Sequence, residues 1–252
     1  MDGSAKLLFA LVLLGLAALA LNWALRRPAF EIRSIRVEGD VTRNSVSTIR
    51  ANALPKLAGG FFTIDLGEAQ RAFESVPWVR QAVVRREWPN RLTVKLEEYR
   101  PVAQWGSDDD ASKLVSGYGE VFDANLGDVE DDHLPRLQGP DGTAPQMLAM
   151  LRRLTPVMRS LLDAQIELLA LSARGSWRAV LDTGAEIELG RGSEDEVLAR
   201  TDRFASTLTQ VTSRYQRPLE YADLRHNDGY ALRLKGIATV AVPPPKGKGS
   251  KP

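Results

Sequence analysis

The pattern of apolar and polar positions falls into three regimes along the chain. Residues 7–25 are apolar except for Asn22, without the alternation of a half-buried element. A helix over that run would be about 28 Å long, close to the hydrocarbon thickness of a bilayer. It is longer than a secretory leader's apolar core and continues past Ala18-Leu19-Ala20, so the pattern predicts an uncleaved membrane span preceded by a short tail, residues 1–6. Trp23 and the Arg26-Arg27 pair stand where an interfacial belt would place them.

Beyond residue 30 the pattern shortens into alternating elements. Residues 30–37 read as a strand with Ile35 and Val37 on one face, turned by Gly39-Asp40. Thr42 is placed to cap a helix whose stripe is Val46, Ile49, Ala53 and Leu54, ended by Pro55. A second helix starts at Asp65 or Leu66, carries Leu66, Ala69, Ala72, Phe73 and Val76, and stops at Pro77. Residues 79–87 form the next strand. After a turn at Pro89-Asn90, Leu92, Val94 and Leu96 alternate with Thr93, Lys95 and Glu97, and the strand runs out through residues 100–103. Strand, helix, helix, strand, strand makes a compact α+β unit with both helices on one face of a three-stranded sheet.

The third regime is richer in strands. Short strands at 114–116 and 120–122 flank Gly117-Tyr118-Gly119, and Met147, Leu148, Leu151, Leu154, Met158 and Leu161 mark a helix with Pro145 in its first turn and Pro156 inside it. Strands follow at 166–172, 177–181 and 185–189. Ser193 caps a long helix that opens Glu194-Asp195-Glu196 and buries Val197, Leu198, Phe204, Ala205, Leu208 and Val211. A terminal hairpin, 219–225 and 230–234, turns at Asn227-Asp228-Gly229, and residues 241–252 read as a disordered tail.

Composition narrows the chemistry. Lys plus Arg number 33 against 32 Asp plus Glu, a formal charge of +1, so nothing favours a nucleic acid. With no cysteine there are no disulfides, thiolate nucleophiles or Cys-based metal sites. The two histidines, His133 and His226, belong to no spaced ligand set. Asp123-Ala124-Asn125 with Asp128 lacks the Gly and Glu of a calcium loop, and Gly190-Arg191-Gly192-Ser193 lacks the spacing and Lys of a phosphate loop, so they read as an acidic loop and a helix cap. Glu97 and Glu98 point to opposite faces of a strand, unsuited to joint acid–base work. No catalytic residue, cofactor site, metal site or small-molecule substrate emerges. A final strand at a sheet edge offers unpaired backbone groups to a partner's strand, here over residues 230–236.

The element order, the Val76-Pro77-Trp78-Val79 opening of the second strand and the Trp88-Pro89-Asn90-Arg91-Leu92 turn resemble the POTRA domain of the FtsQ/DivIB family of bacterial division proteins. The implied fold is α+β: a single N-terminal transmembrane helix (7–25), a POTRA domain of β-α-α-β-β order (30–99), then a β-rich domain with two helices and a terminal edge hairpin (100–240). A Trp at position 88 is expected to be core. The resemblance further implies a non-enzymatic scaffold of septation that binds FtsB and FtsL by edge-strand pairing, with FtsK, FtsN, FtsW and FtsI as further contacts. Tyr221, Asp223-Leu224-Arg225 and Gly229 look like the last hairpin of that family, its docking site for the FtsB–FtsL pair. Carried over by position, His226, Asp228, Gly229, Tyr230, Leu232 and Leu234 would line the contact. Ser172-Ala173-Arg174 with Ser176-Trp177 resembles another family strand, and Arg174 stands in for a basic residue that some members carry at the position of Gly175.

Charge alone, with Lys6 before the span and Arg26, Arg27, Arg33 and Arg36 after it, would leave the large domain in the cytoplasm. The resemblance instead implies a bacterial inner-membrane protein, single-pass type II, with its bulk in the periplasm. Two other readings stay open on the residues: a membrane-anchored envelope enzyme acting on peptidoglycan, and a POTRA-type chaperone or transport accessory.

Overall fold

The computed structural model describes residues 2–25, 31–106, 113–215, 217–226 and 229–236. The chain divides into two compact units, Met1–Arg100 and Pro101–Pro252. Arg26-Arg27, the acidic run at 108–110, Asn227-Asp228 and the tail at 241–252 lie outside the described residues.

Helix α1 spans Asp2–Leu25. Its side chains are described at residues 7–20 and at Trp23, and all of these are exposed. Among the described residues, no helix is long and apolar enough to cross a membrane. That finding corrects the expected transmembrane element of the fold, and with it the inner-membrane contact through one helix and the single-pass type II placement.

In the rest of the first unit, β1 (Ser34–Asp40), α2 (Val46–Ala53), α3 (Leu66–Glu74), β2 (Val79–Glu87) and β3 (Arg91–Glu98) follow in order. The sheet runs β1-β3-β2, with β1 parallel and β2 antiparallel to β3. Leu92, Val94 and Leu96 are buried as their alternation demands, and they share one core with Ile49, Ala53, Ala69 and Phe73 of the two helices. Asp65 caps α3 by accepting from the N–H groups of Gly67 and Glu68.

Three local expectations change. The first strand is 34–40 rather than 30–37, because Gly39, at φ +113°, continues the ladder opposite Leu96 instead of turning the chain. Ser45, not Thr42, caps α2 by accepting from Thr48 N–H, and Pro55 sits inside a 3₁₀ turn, Leu54–Lys56, that extends the helix. Trp88 is 69% exposed and stacks edge-on against Phe61, so it is surface rather than core.

The second unit contains β4 (Pro101–Trp105), β5 (Lys113–Ser116), β6 (Val121–Asp123), β7 (Arg136–Gln138), α4 (Ala144–Leu162), β8 (Ile166–Leu171), β9 (Ser176–Leu181), β10 (Glu186–Arg191), α5 (Glu194–Tyr215), β11 (Leu219–Asp223) and β12 (Ala231–Leu234). They form one nine-stranded sheet in the order β12-β11-β10-β9-β8-β7-β4-β5-β6. The extended run at 101–103 therefore opens this sheet rather than prolonging β3.

Register places Trp105, Leu137, Leu169, Ala179, Ile187, Ala222 and Leu232 in one row across seven strands. Side chains in such a row share a face. The first six are buried, and they belong to the same core as Met147, Leu154 and Met158 of α4 and Phe204 and Leu208 of α5. The row thus orients the far edge: Leu232 is its last member and turns inward.

Candidate partner-docking edge

Among the described residues, strand β12 ends the sheet, with β11 its sole neighbour. The two run antiparallel, pairing Tyr221 with Arg233, Ala222 with Leu232 and Asp223 with Ala231, with a bulge between Leu219 and Tyr221. Lys235 N–H donates to Pro218 C=O at 3.0 Å. Backbone groups of alternate residues in a strand point to opposite sides. Lys235, Arg233 and Ala231 therefore address β11, and the N–H and C=O of Leu232 address the open side.

Side chains follow a different axis. Leu234 is buried at 4% exposure, and Tyr230 and Leu232 pack partly buried against the same core. The Tyr230 ring meets Phe204 of α5 edge-on at 5.0 Å between centroids, and its hydroxyl lies 2.6 Å from Thr207 Oγ1. These three residues anchor β12 to its own molecule. The opposite face carries Arg233, which pairs with Glu220 at 3.1 Å and lies 5.8 Å over the Tyr221 ring. Beside the strand, a groove of about 540 Å³ opens between the last turns of α5 and β12, lined by Val211, Arg214, Tyr215, Leu232, Arg233 and Leu234.

The approach to β12 is fixed by Asp223, which sits at the end of β11 and is 8% exposed. Its carboxylate receives Arg225 Nε at 2.8 Å, Nη2 at 2.6 Å and the Arg225 N–H at 3.0 Å. This bidentate guanidinium bond is the main reason the carboxyl is held down to about 2. Leu224 N–H donates to Glu188 C=O at 2.8 Å, tying the segment after β11 to β10. Gly190 admits this crowding: at φ +80°, a Cβ there would lie 2.6 Å from Arg200 Nη1 and 3.0 Å from Arg225 Cγ.

The other residues singled out from sequence are spread more widely. His226 and Gly229 are exposed beside the turn before β12, and Asp228 lies outside the described residues. Arg174 is exposed in the β8–β9 turn. Register puts that turn at the end of the sheet where the chain leaves β11, since Ser176 pairs with Arg191 and Glu188 with Asp223. Three strand spacings, about 14 Å, still separate β9 from β12, so the structure does not bring Arg174 onto the strand. Residues not singled out as contacts are Asp223, Arg225, Glu220 and Arg233. The signal for Asp223 and Arg225 was an acid and a base two residues apart at a strand end, which spacing alone does not distinguish from a solvated pair, and Glu220 and Arg233 meet only across the hairpin.

Candidate chemistry elsewhere resolves into structure. Asn125 caps the 3₁₀ turn Leu126–Asp132 by accepting from Gly127 N–H. Ser193 and Glu196 form a capping box, Ser193 N–H to Glu196 Oε2 at 2.8 Å and Glu196 N–H to Ser193 Oγ at 3.3 Å, which occupies donors a phosphate would need. Among the described residues, no group of three or more acidic or histidine side chains could hold a metal ion.

Comparison with known proteins gives two family matches. Residues 30–99 match the POTRA domain, FtsQ-type, and residues 103–225 match the C-terminal domain of cell division protein FtsQ/DivIB. The chain is 41% identical over 238 residues to cell division protein FtsQ of Thiomonas arsenitoxydans, covering 94% of this chain and 87% of that one. It is 43% identical over 235 residues to FtsQ of Burkholderia pseudomallei, with 93% and 92% covered. Against FtsQ of Bordetella pertussis the identity is 36% over 262 residues, with 96% and 94% covered.

Proposed function

The chain belongs to the FtsQ/DivIB family of cell division proteins, and we propose that it engages the FtsB–FtsL pair in the periplasm by accepting a strand along β12. It is a non-enzymatic scaffold of the division machinery. The observation that carries the docking reading is the edge itself: a terminal strand whose side chains are spent on its own core while the backbone of Leu232 faces outward. Each backbone bond a partner adds contributes about 0.5–1.5 kcal/mol, and the adjoining groove accepts apolar side chains from the added strand. Arg233 and the Asp223–Arg225 pair fix the strand's outer face and entry, so little ordering remains to be done on binding.

A pull-down of purified FtsB and FtsL tests this reading. Leu232→Pro removes the outward donor without touching the bonds to β11 and is expected to abolish capture. Tyr230→Asp unseats the strand from Phe204 and is expected to weaken capture. Undiminished capture by both variants would sink the proposal.

A further inference from the structure

Helix α4 carries a second groove, distant in sequence from β12, of about 720 Å³. Its apolar lining is Val102, Leu148, Leu151 and Pro156, and its two charged residues, Arg152 and Arg159, are both basic. Two turns apart on one helix, those arginines lie nearly in line and about 10.5 Å apart along the axis. Among the described residues, neither is neutralised by a neighbouring acid. Arg152 donates to the carbonyl of Gly117 at 2.6 Å, leaving further guanidinium donors, and Arg159 has no ion-pair partner among the described residues. By contrast Arg153, on another side of α4, is taken by Glu194 and Asp195. Pro156, in the same lining, adds a third feature: it has no N–H to offer the carbonyl of Arg152, so that carbonyl lacks its helical donor.

We propose that this groove is a docking surface for an acidic amphipathic helix of a partner protein, whose carboxylates, spaced two turns apart, meet Arg152 and Arg159 over an apolar contact with the exposed Pro156 and the half-buried Val102. Charge complementarity selects that occupant: an exposed proline between two exposed cations, with no anion in the lining, fits a helix carrying two acids with leucines between them. The surface is separate from the β12 edge, and its success or failure leaves the strand-pairing reading untouched.

The test is fluorescence anisotropy with the full chain and a designed helical peptide bearing two glutamates two turns apart with leucines between, against the same peptide with lysines. The glutamate peptide is expected to bind at least about tenfold tighter than the lysine peptide, and Arg159→Glu to cancel that preference. Arg159 makes no bond within the described chain, so its loss does not threaten folding, and Arg152→Ala serves as the second variant. Leu232→Pro should leave peptide binding unchanged. Equal binding of the two peptides, no binding of the glutamate peptide, or indifference to Arg159→Glu would overturn the proposal. So would a chain found dimeric by light scattering and made monomeric by Arg159→Glu, since the occupant would then be a second copy.

Discussion

Glu98 in the first unit and Asp223 in the second are both buried carboxylates at the end of a strand, each 8% exposed, yet they are satisfied in opposite ways. Glu98 receives the N–H groups of Thr42, Arg43 and Asn44 at 2.7, 3.0 and 2.9 Å, the Thr42 hydroxyl at 3.2 Å and the Asn44 side-chain amide at 3.1 Å. Its partners are one loop of neutral groups, and Asn44 in turn reaches Pro77 C=O at 2.7 Å, joining that loop to the Val-Pro-Trp segment. Asp223 receives mainly one guanidinium, whose own side chain is 55% exposed. The first arrangement fixes the fold of a unit from inside. The second sets the entry to a binding edge and leaves half of the pair in water.

Replacing Glu98 should have the largest effect. Glu98→Ala strands several donors at once and is expected to destabilise the first unit by about 3 kcal/mol, read as loss of amide-exchange protection at residues 42–44. Asp223→Asn should cost less, on the order of 1–2 kcal/mol once the exposure of Arg225 is allowed for, read by urea unfolding of the full chain. The pH dependence has a definite sign. Because folding lowers the Asp223 carboxyl from 3.8 to about 2, its contribution is complete above about pH 4 and is lost as the pH falls toward 2. In Asp223→Asn that segment of the acid-unfolding curve should flatten. Arg225→Lys should have the smallest effect, about 0.5–1 kcal/mol, because an ammonium keeps the charge but loses the fork. If Arg225→Lys cost as much as Glu98→Ala, the contrast between the two sites would fail.

Much of the first unit was legible because its punctuation is strong. Pro77 and Pro89 bracket β2 at residues 79–87, Asp65 opens α3, and a clean period of two gives β3. Gly39 misled because a glycine at positive φ serves a strand end as well as a turn. In the second unit Ser193 and the first turn of α5 were plain, whereas β7 was not: three residues between Pro135 and Pro140 carry no measurable period. Nor does a single sequence state that nine strands join into one sheet, because parallel pairs such as β7 with β8 and β10 with β11 depend on distant segments. At the docking edge the alternation of Tyr230, Leu232 and Leu234 was visible. Which way that face points was not, because the answer lies in Phe204 and Thr207 on α5. The surface position of Trp88 was hidden for a similar reason, since its neighbours Phe61 and Phe62 come from another loop.

The central claim is that the outward backbone of β12, rather than its side chains, receives the partner. Amide hydrogen exchange at Leu232, measured in the full chain with and without saturating FtsB–FtsL, tests it most directly. The account predicts that this N–H exchanges freely alone and becomes strongly protected in the complex, while the inward N–H of Arg233 changes little. An unprotected Leu232 N–H in a saturated complex would contradict it.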